Sequence, residues 1–110
     1  MENVFQIDEA SPDSVNNRWL VKGRAMEELA VGETVFGALG RTYKVIFEPD
    51  KVYGILHEPE GGPTLYPFKI IAISAYGRDI DQLGAGLTGI LVLEGEHGET
   101  LMDTKYLVKC

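Results

Sequence analysis

Gly84-x-Gly86-x-x-Gly89 reproduces the dinucleotide-binding fingerprint letter for letter. That fingerprint cradles pyrophosphate only where a strand leads into it and a helix opens from it. Here Ile90-Leu91-Val92-Leu93 continues in β fashion, and too few residues remain for a βαβ unit. The glycines are read as a tight entry into a closely packed strand, and no cofactor is expected.

The other groups capable of chemistry are equally sparse. His57 and His97 stand beside turn sequences, and His97 lies among Glu94, Glu96 and Glu99. A zinc site draws on more His and Cys than this chain supplies, and Asp79-x-Asp81 lacks the Gly and Glu of a calcium loop. The acidic cluster is read as a solvated hairpin tip, with no metal. Carboxylates recur in pairs: Asp8 with Glu9, Glu27 with Glu28, Glu58 with Glu60. General acid–base work needs two carboxyls in different environments of one cleft, whereas neighbours in a strand face opposite sides and loop pairs are solvated. No serine or cysteine lies in a nucleophile motif, and no phosphate loop is present. The expectation is a non-enzymatic protein.

Recognition residues are the remaining candidates. Tyr43, Tyr53, Tyr66 and Tyr76 fall near turns, where a ring supplies contact area at small entropic cost. Glu58, Glu60, Tyr66, Tyr76 and Arg78 are the expected partner-binding residues. The formal charge of −7 and pI near 4.7 repel nucleic acid at long range. The same charge favours a protein partner with a basic face, since complementary charge speeds association. Arg18, Lys22 and Arg24, like Arg41 and Lys44, are read as solvated strand-face charges. DNA and membrane partners are not expected: no stretch approaches a spanning length, and the acidic amino terminus is unlike a signal peptide. Cys110 alone forms no intrachain disulfide. Cytoplasm is the expected location.

Short apolar runs between Gly, Pro, Asn and Asp must position these residues, and they fit one domain over residues 1–110. Strands are predicted at Val4–Glu9, Arg18–Met26, Thr34–Leu39, Tyr43–Phe47, Leu65–Ala75, Leu87–Glu94 and Thr100–Val108, with a short strand-like piece at Val52–His57. Trp19, Val21, Gly23 and Ala25 form the inward face of the second. Met26–Ala30 is expected to make one helical turn, Tyr76–Leu83 a polar connector, and Gly95–Gly98 a tight hairpin turn. Glu58-Pro59-Glu60-Gly61-Gly62-Pro63 is the strongest loop signal. Six or seven short strands with short connections argue for an all-β barrel or sandwich, and closure removes exposed edges.

Four stretches occur in the order of a known family. Val21-Lys22-Gly23-Arg24-Ala25 is followed by Val31-Gly32-Glu33-Thr34-Val35, then by Phe68-Lys69-Ile70-Ile71-Ala72-Ile73, then by Gly86-Leu87-Thr88-Gly89-Ile90-Leu91-Val92-Leu93-Glu94-Gly95. Together they resemble the β-barrel second domain of translational GTPases such as elongation factor Tu, standing without a GTPase domain. The resemblance implies a small closed six- to seven-stranded Greek-key barrel that recognises tRNA, ribosomal RNA or a neighbouring domain and does not catalyse. Residues 48–63 are longer than the family pattern. The leading expectation is a binding module for a protein partner; a tRNA- or ribosome-binding barrel is the alternative, implied by resemblance only.

Overall fold

The computed structural model describes residues 2–39, 42–57 and 64–109, with the side chains of residues 39, 42–46 and 53–57 outside the description. Eleven strands follow in chain order: β1 (Glu2–Pro12), β2 (Arg18–Ala25), β3 (Leu29–Ala30), β4 (Thr34–Leu39), β5 (Thr42–Glu48), β6 (Lys51–His57), β7 (Thr64–Ala75), β8 (Arg78–Ile80), β9 (Gln82–Leu83), β10 (Thr88–Glu94) and β11 (Tyr106–Lys109). A 3-10 helix, Gly98–Asp103, precedes the last.

Six strands close an antiparallel barrel in the order β10-β2-β1-β11-β4-β7, and β10 pairs back onto β7. β4, β7 and β10 lie side by side, while β2 returns beside β10 and β11 beside β4. Both returns are Greek-key connections. β8 extends β7 at one end, and β3 pairs with β9 as a separate two-stranded piece.

Alternation fills the interior. Val21 and Ala25 of β2, Leu91 and Leu93 of β10, and Phe68, Ile70 and Ile73 of β7 are all buried, with Phe5 and Leu107 from β1 and β11. Leu29 and Leu83 enter from the β3–β9 piece, and Leu101 from the 3-10 helix. Register shifts in β1 at Asn3/Phe5 and Ile7/Glu9, and between β10 and β7 at Val92/Leu93, bend strands that a closed sheet must curve. The inward Trp19 face agrees with expectation, although Trp19 itself is only half-buried.

Three local expectations are corrected. Met26–Ala30 forms a bend and then β3, because Leu29 is held in the core opposite Leu83. The connector after Ala75 is β8 and β9. Gly95–Gly98 does not join two paired strands: β10 pairs with β2 and β7, and β11 with β1 and β4. The chain between them instead winds into the 3-10 helix, whose Gly98 sits directly on the indole of Trp19.

Contact this close also governs the β1–β2 pair. A Cβ on Gly23 would fall 1.9 Å from the Gln6 carbonyl oxygen and 2.7 Å from the Phe5 ring. Lys109 bonds to Glu33 and lies 3.3 Å from Glu27, tying β11 to the turn before β4. Glu33 also accepts a 2.6 Å hydrogen bond from the Ala30 N–H. The hydrogen bond from Lys109 holds the Glu33 carboxyl below its ordinary value, against the opposing effect of burial. Burial pulls the Lys109 ammonium down, but its bonds to Glu33 and Glu27 leave it raised.

Gly23→Ala is expected to destabilise the fold by about 2–3 kcal/mol, since backbone and a buried ring must give way; urea unfolding checks this, and an unchanged midpoint would contradict the close approach. The Glu33 charge contributes stability above the ordinary carboxyl value of 4.5, lost as pH falls through the lowered folded value. The Lys109 contribution is complete below 10.5 and is lost as pH rises through the raised folded value. Glu33→Gln should therefore cost up to about 1 kcal/mol at neutral pH, as expected for a part-exposed pair, and progressively less toward about pH 2. Parallel unfolding curves at both pH values would contradict the pairing.

Candidate docking surfaces

The β7–β8 hairpin turns on two residues, Tyr76 and Gly77, with Ala75 opposite Arg78. Their φ angles are 54° and 74°, the left-handed pair that a tight hairpin of this hand demands. Glycine meets that demand freely; tyrosine adopts it at a cost. The Tyr76 ring gains no burial in return, being 82% exposed.

Beside it runs a groove of about 240 Å3 between β7 and β10, lined by Ser74, Tyr76, Thr88, Ile90 and Lys22. The barrel register builds it, setting Ile90 opposite Ser74 on one side and Lys22 on the other. A second hollow of about 150 Å3 shares Lys22 and Ile90 and continues to Leu20, Ser11 and Glu9. Met26 and Leu87 are exposed at the same end, drawn together by the Ala25 N–H donating to the Leu87 carbonyl at 2.9 Å.

Three cations belong to this pole. Lys22 lines the groove, Arg24 lies opposite Thr88 in register, and Arg78 closes the turn. The Arg24 Nε donates to the Gly86 carbonyl at 3.1 Å. Among the described residues, none of the three has a carboxylate within ion-pair distance, a property they share with Lys69 and Lys105. Arg18, by contrast, meets Glu94 at 3.2 Å.

The second surface is the β5–β6 ribbon. Its strands pair with each other from Thr42 opposite His57 to Glu48 opposite Lys51, and neither joins the barrel sheet. Near its tip Phe47 and Val52 lie opposite one another, 77% and 63% exposed. The ribbon projects from the end of the β4–β7 pair, where Leu39 faces Thr64.

Of the residues expected to bind a partner, Tyr76 and Arg78 share the hairpin turn, but only Tyr76 of the two lines the groove: Arg78 lies opposite buried Ala75, and it is Asp79 that lies opposite the groove residue Ser74. Tyr66 does not join them: ten residues of extended strand put it about 30 Å from Tyr76. It packs half-buried against the core, its ring centroid 4.6 Å from that of His97. Glu58 and Glu60 lie outside the described residues. Sequence reasoning missed Ile90 and Leu87, although the alternation of inward Gly89, Leu91 and Leu93 already sets Ile90 outward. Lys22 and Arg24 lie exposed on the strand face that the sequence assigns to them. The glycine run opens directly into strand β10. At the acidic cluster, His97 Nδ1 lies 3.9 Å from Glu99, and no three His, Cys, Asp or Glu side chains converge on a metal position among the described residues. No helix among them is long and apolar enough to cross a membrane.

Comparison with protein-family models, with curated proteins and with solved structures returns no match to the chain.

Tyr76→Asn relieves the left-handed strain with a residue that tolerates it, at a ring that packs against little. The variant is expected to raise stability by up to about 1 kcal/mol in urea unfolding. A loss of stability would mean that the ring serves the fold.

Proposed function

We propose that this chain is a non-enzymatic binding module that docks on a protein partner through the β5–β6 ribbon. The observation carrying this reading is the Phe47–Val52 pair, held in the open on a ribbon that pairs only with itself. A two-stranded hairpin is marginal in water, and each of these side chains would contribute about 1.5–3 kcal/mol on full burial. A partner that covers the tip supplies what the chain leaves unmade. Among the described residues neither ribbon edge pairs with another strand, so a partner strand can add there.

The filled interior supports the same reading. Phe5, Phe68, Ile70, Leu91 and Leu107 occupy the inside of the barrel, so recognition falls to its outside. The resemblance to the barrels of translational GTPases agrees with recognition in place of catalysis. Its implied RNA role is the competing outcome, opposed by the net charge of −7.

The test compares the wild-type chain with the Phe47→Asp, Val52→Asp double variant as bait in native lysate, with protein and RNA both identified. Both substitutions lie at exposed positions, so circular dichroism and melting temperature should be retained. Expected is one stoichiometric protein whose affinity falls at least ~tenfold in the variant. Equal recovery by both baits would overturn the ribbon as the docking element. Recovery of tRNA or ribosomes, lost as salt rises, would replace the reading with the RNA role.

A further inference from the structure

The groove beside Tyr76 and the tip of the ribbon are complementary in shape and in apolar character. We propose that the ribbon tip of one copy of this chain seats in the Tyr76 groove of a second copy, so that the molecule assembles head to tail. The proposal rests on the ribbon as the docking element and names its partner. On the tip, Phe47 and Val52 stand open and opposite one another. The groove of about 240 Å3 has Ala75, Tyr76, Gly89 and Ile90 among its walls. That volume is below the range of sites that enclose a whole small molecule and suits one large side chain.

Placement makes the contact one between copies. The ribbon leaves the barrel where Leu39 faces Thr64, and Tyr76 follows the other end of β7, roughly 35 Å along the strand. A chain in this conformation therefore leaves both its own tip and its own groove uncovered. Each copy carries one of each, so a single kind of joint covers both in equal number. Tyr76 adds an independent reason. Its left-handed φ of 54° carries a cost that the fold does not recover, since the ring stays exposed. A Phe47 ring seated beside it returns that cost as an aromatic contact.

The area sets the strength of the joint. Covering Phe47 and Tyr76 removes roughly 300 Å2 of ring surface from water, with Val52 and Ile90 adding to it. This falls short of the ~1,200 Å2 of a standard stable pair, so each joint is weak and assembly shows at high concentration. Tip and groove are different surfaces, and such a contact propagates as an open chain unless its rotation closes a ring. Charge does not drive it: the net charge of −7 holds copies apart, and Lys22 in the groove wall lies opposite Glu9. Added salt screens that repulsion and strengthens the assembly, the reverse of a charge-driven contact.

The test is sedimentation velocity of the purified full chain from about 10 μM to about 1 mM, at low and at high salt. Expected are species larger than the monomer that grow with concentration and with salt. The tip variant Phe47→Asp, Val52→Asp and the groove variant Tyr76→Asn, Ile90→Ser should each stay monomeric. Tyr76→Asn alone, whose fold is expected to be retained, should weaken assembly at least ~threefold. Mixed, the tip and groove variants should form a one-to-one dimer and nothing larger, because one keeps its groove and the other its tip. In the 15N-labelled tip variant, adding the unlabelled groove variant should shift the amides of Tyr76, Thr88 and Ile90. A wild-type chain that stays monomeric at millimolar concentration would overturn the second copy as partner, while the ribbon itself stands or falls by the lysate comparison. Assembly that survives in the tip variant would overturn the proposal, and so would a wild-type dimer with no complementation between the two variants.

Discussion

The whole structure depends on β10 pairing on both of its edges. With β2 on one side and β7 on the other, it turns a curved sheet into a ring and leaves no edge between those strands. Closure on six strands leaves an interior only wide enough for side chains, and Leu91 and Leu93 of β10 lie within it fully buried. The same two registers assemble the Tyr76 groove, because Ser74, Ile90 and Lys22 become neighbours across three strands far apart in sequence. Such a groove cannot form before the ring does. Core and candidate site thus share one set of backbone hydrogen bonds.

Close approach makes that ring possible. At Gly23 the neighbouring strand occupies the place of a side chain, and at Gly98 the Trp19 indole does. These contacts bring β1 against β2, and the 3-10 helix against the barrel, without a layer of side chains between. Leu101 then reaches the core from the helix, closing one end of the interior as Leu29 and Leu83 do from the β3–β9 piece.

What was legible in the sequence is the part governed by alternation. The inward face of β2, the strand after the glycine run and the all-β class are read that way, whereas the buried residues of β7 change phase between Ile70 and Ile73. The misread parts depend on partners distant in sequence. Nothing local announces that Leu29 will pair with Leu83, or that the residues after Gly95 will fold onto Trp19 in place of making a hairpin. The candidate site was legible in halves for the same reason. Tyr76 was found from its turn, whereas Ile90 and Lys22 join it only through the ring. Tyr66 stands apart from Tyr76 because proximity to a turn in sequence says nothing about which end of a long strand a residue occupies.

The meeting of Leu39 and Thr64 at the base of the ribbon bears on how quickly the barrel can assemble. Pairing β4 with β7 requires the intervening segment to be closed as a loop, and long loops close at an entropic penalty. Once Thr42 has met His57, the length still to be closed is roughly threefold shorter, which lowers that penalty by about 1 kcal/mol. Hairpins form in microseconds, ahead of non-local sheet closure. The ribbon that projects from the finished molecule thereby serves, during folding, as a brace that brings two barrel strands within reach of each other.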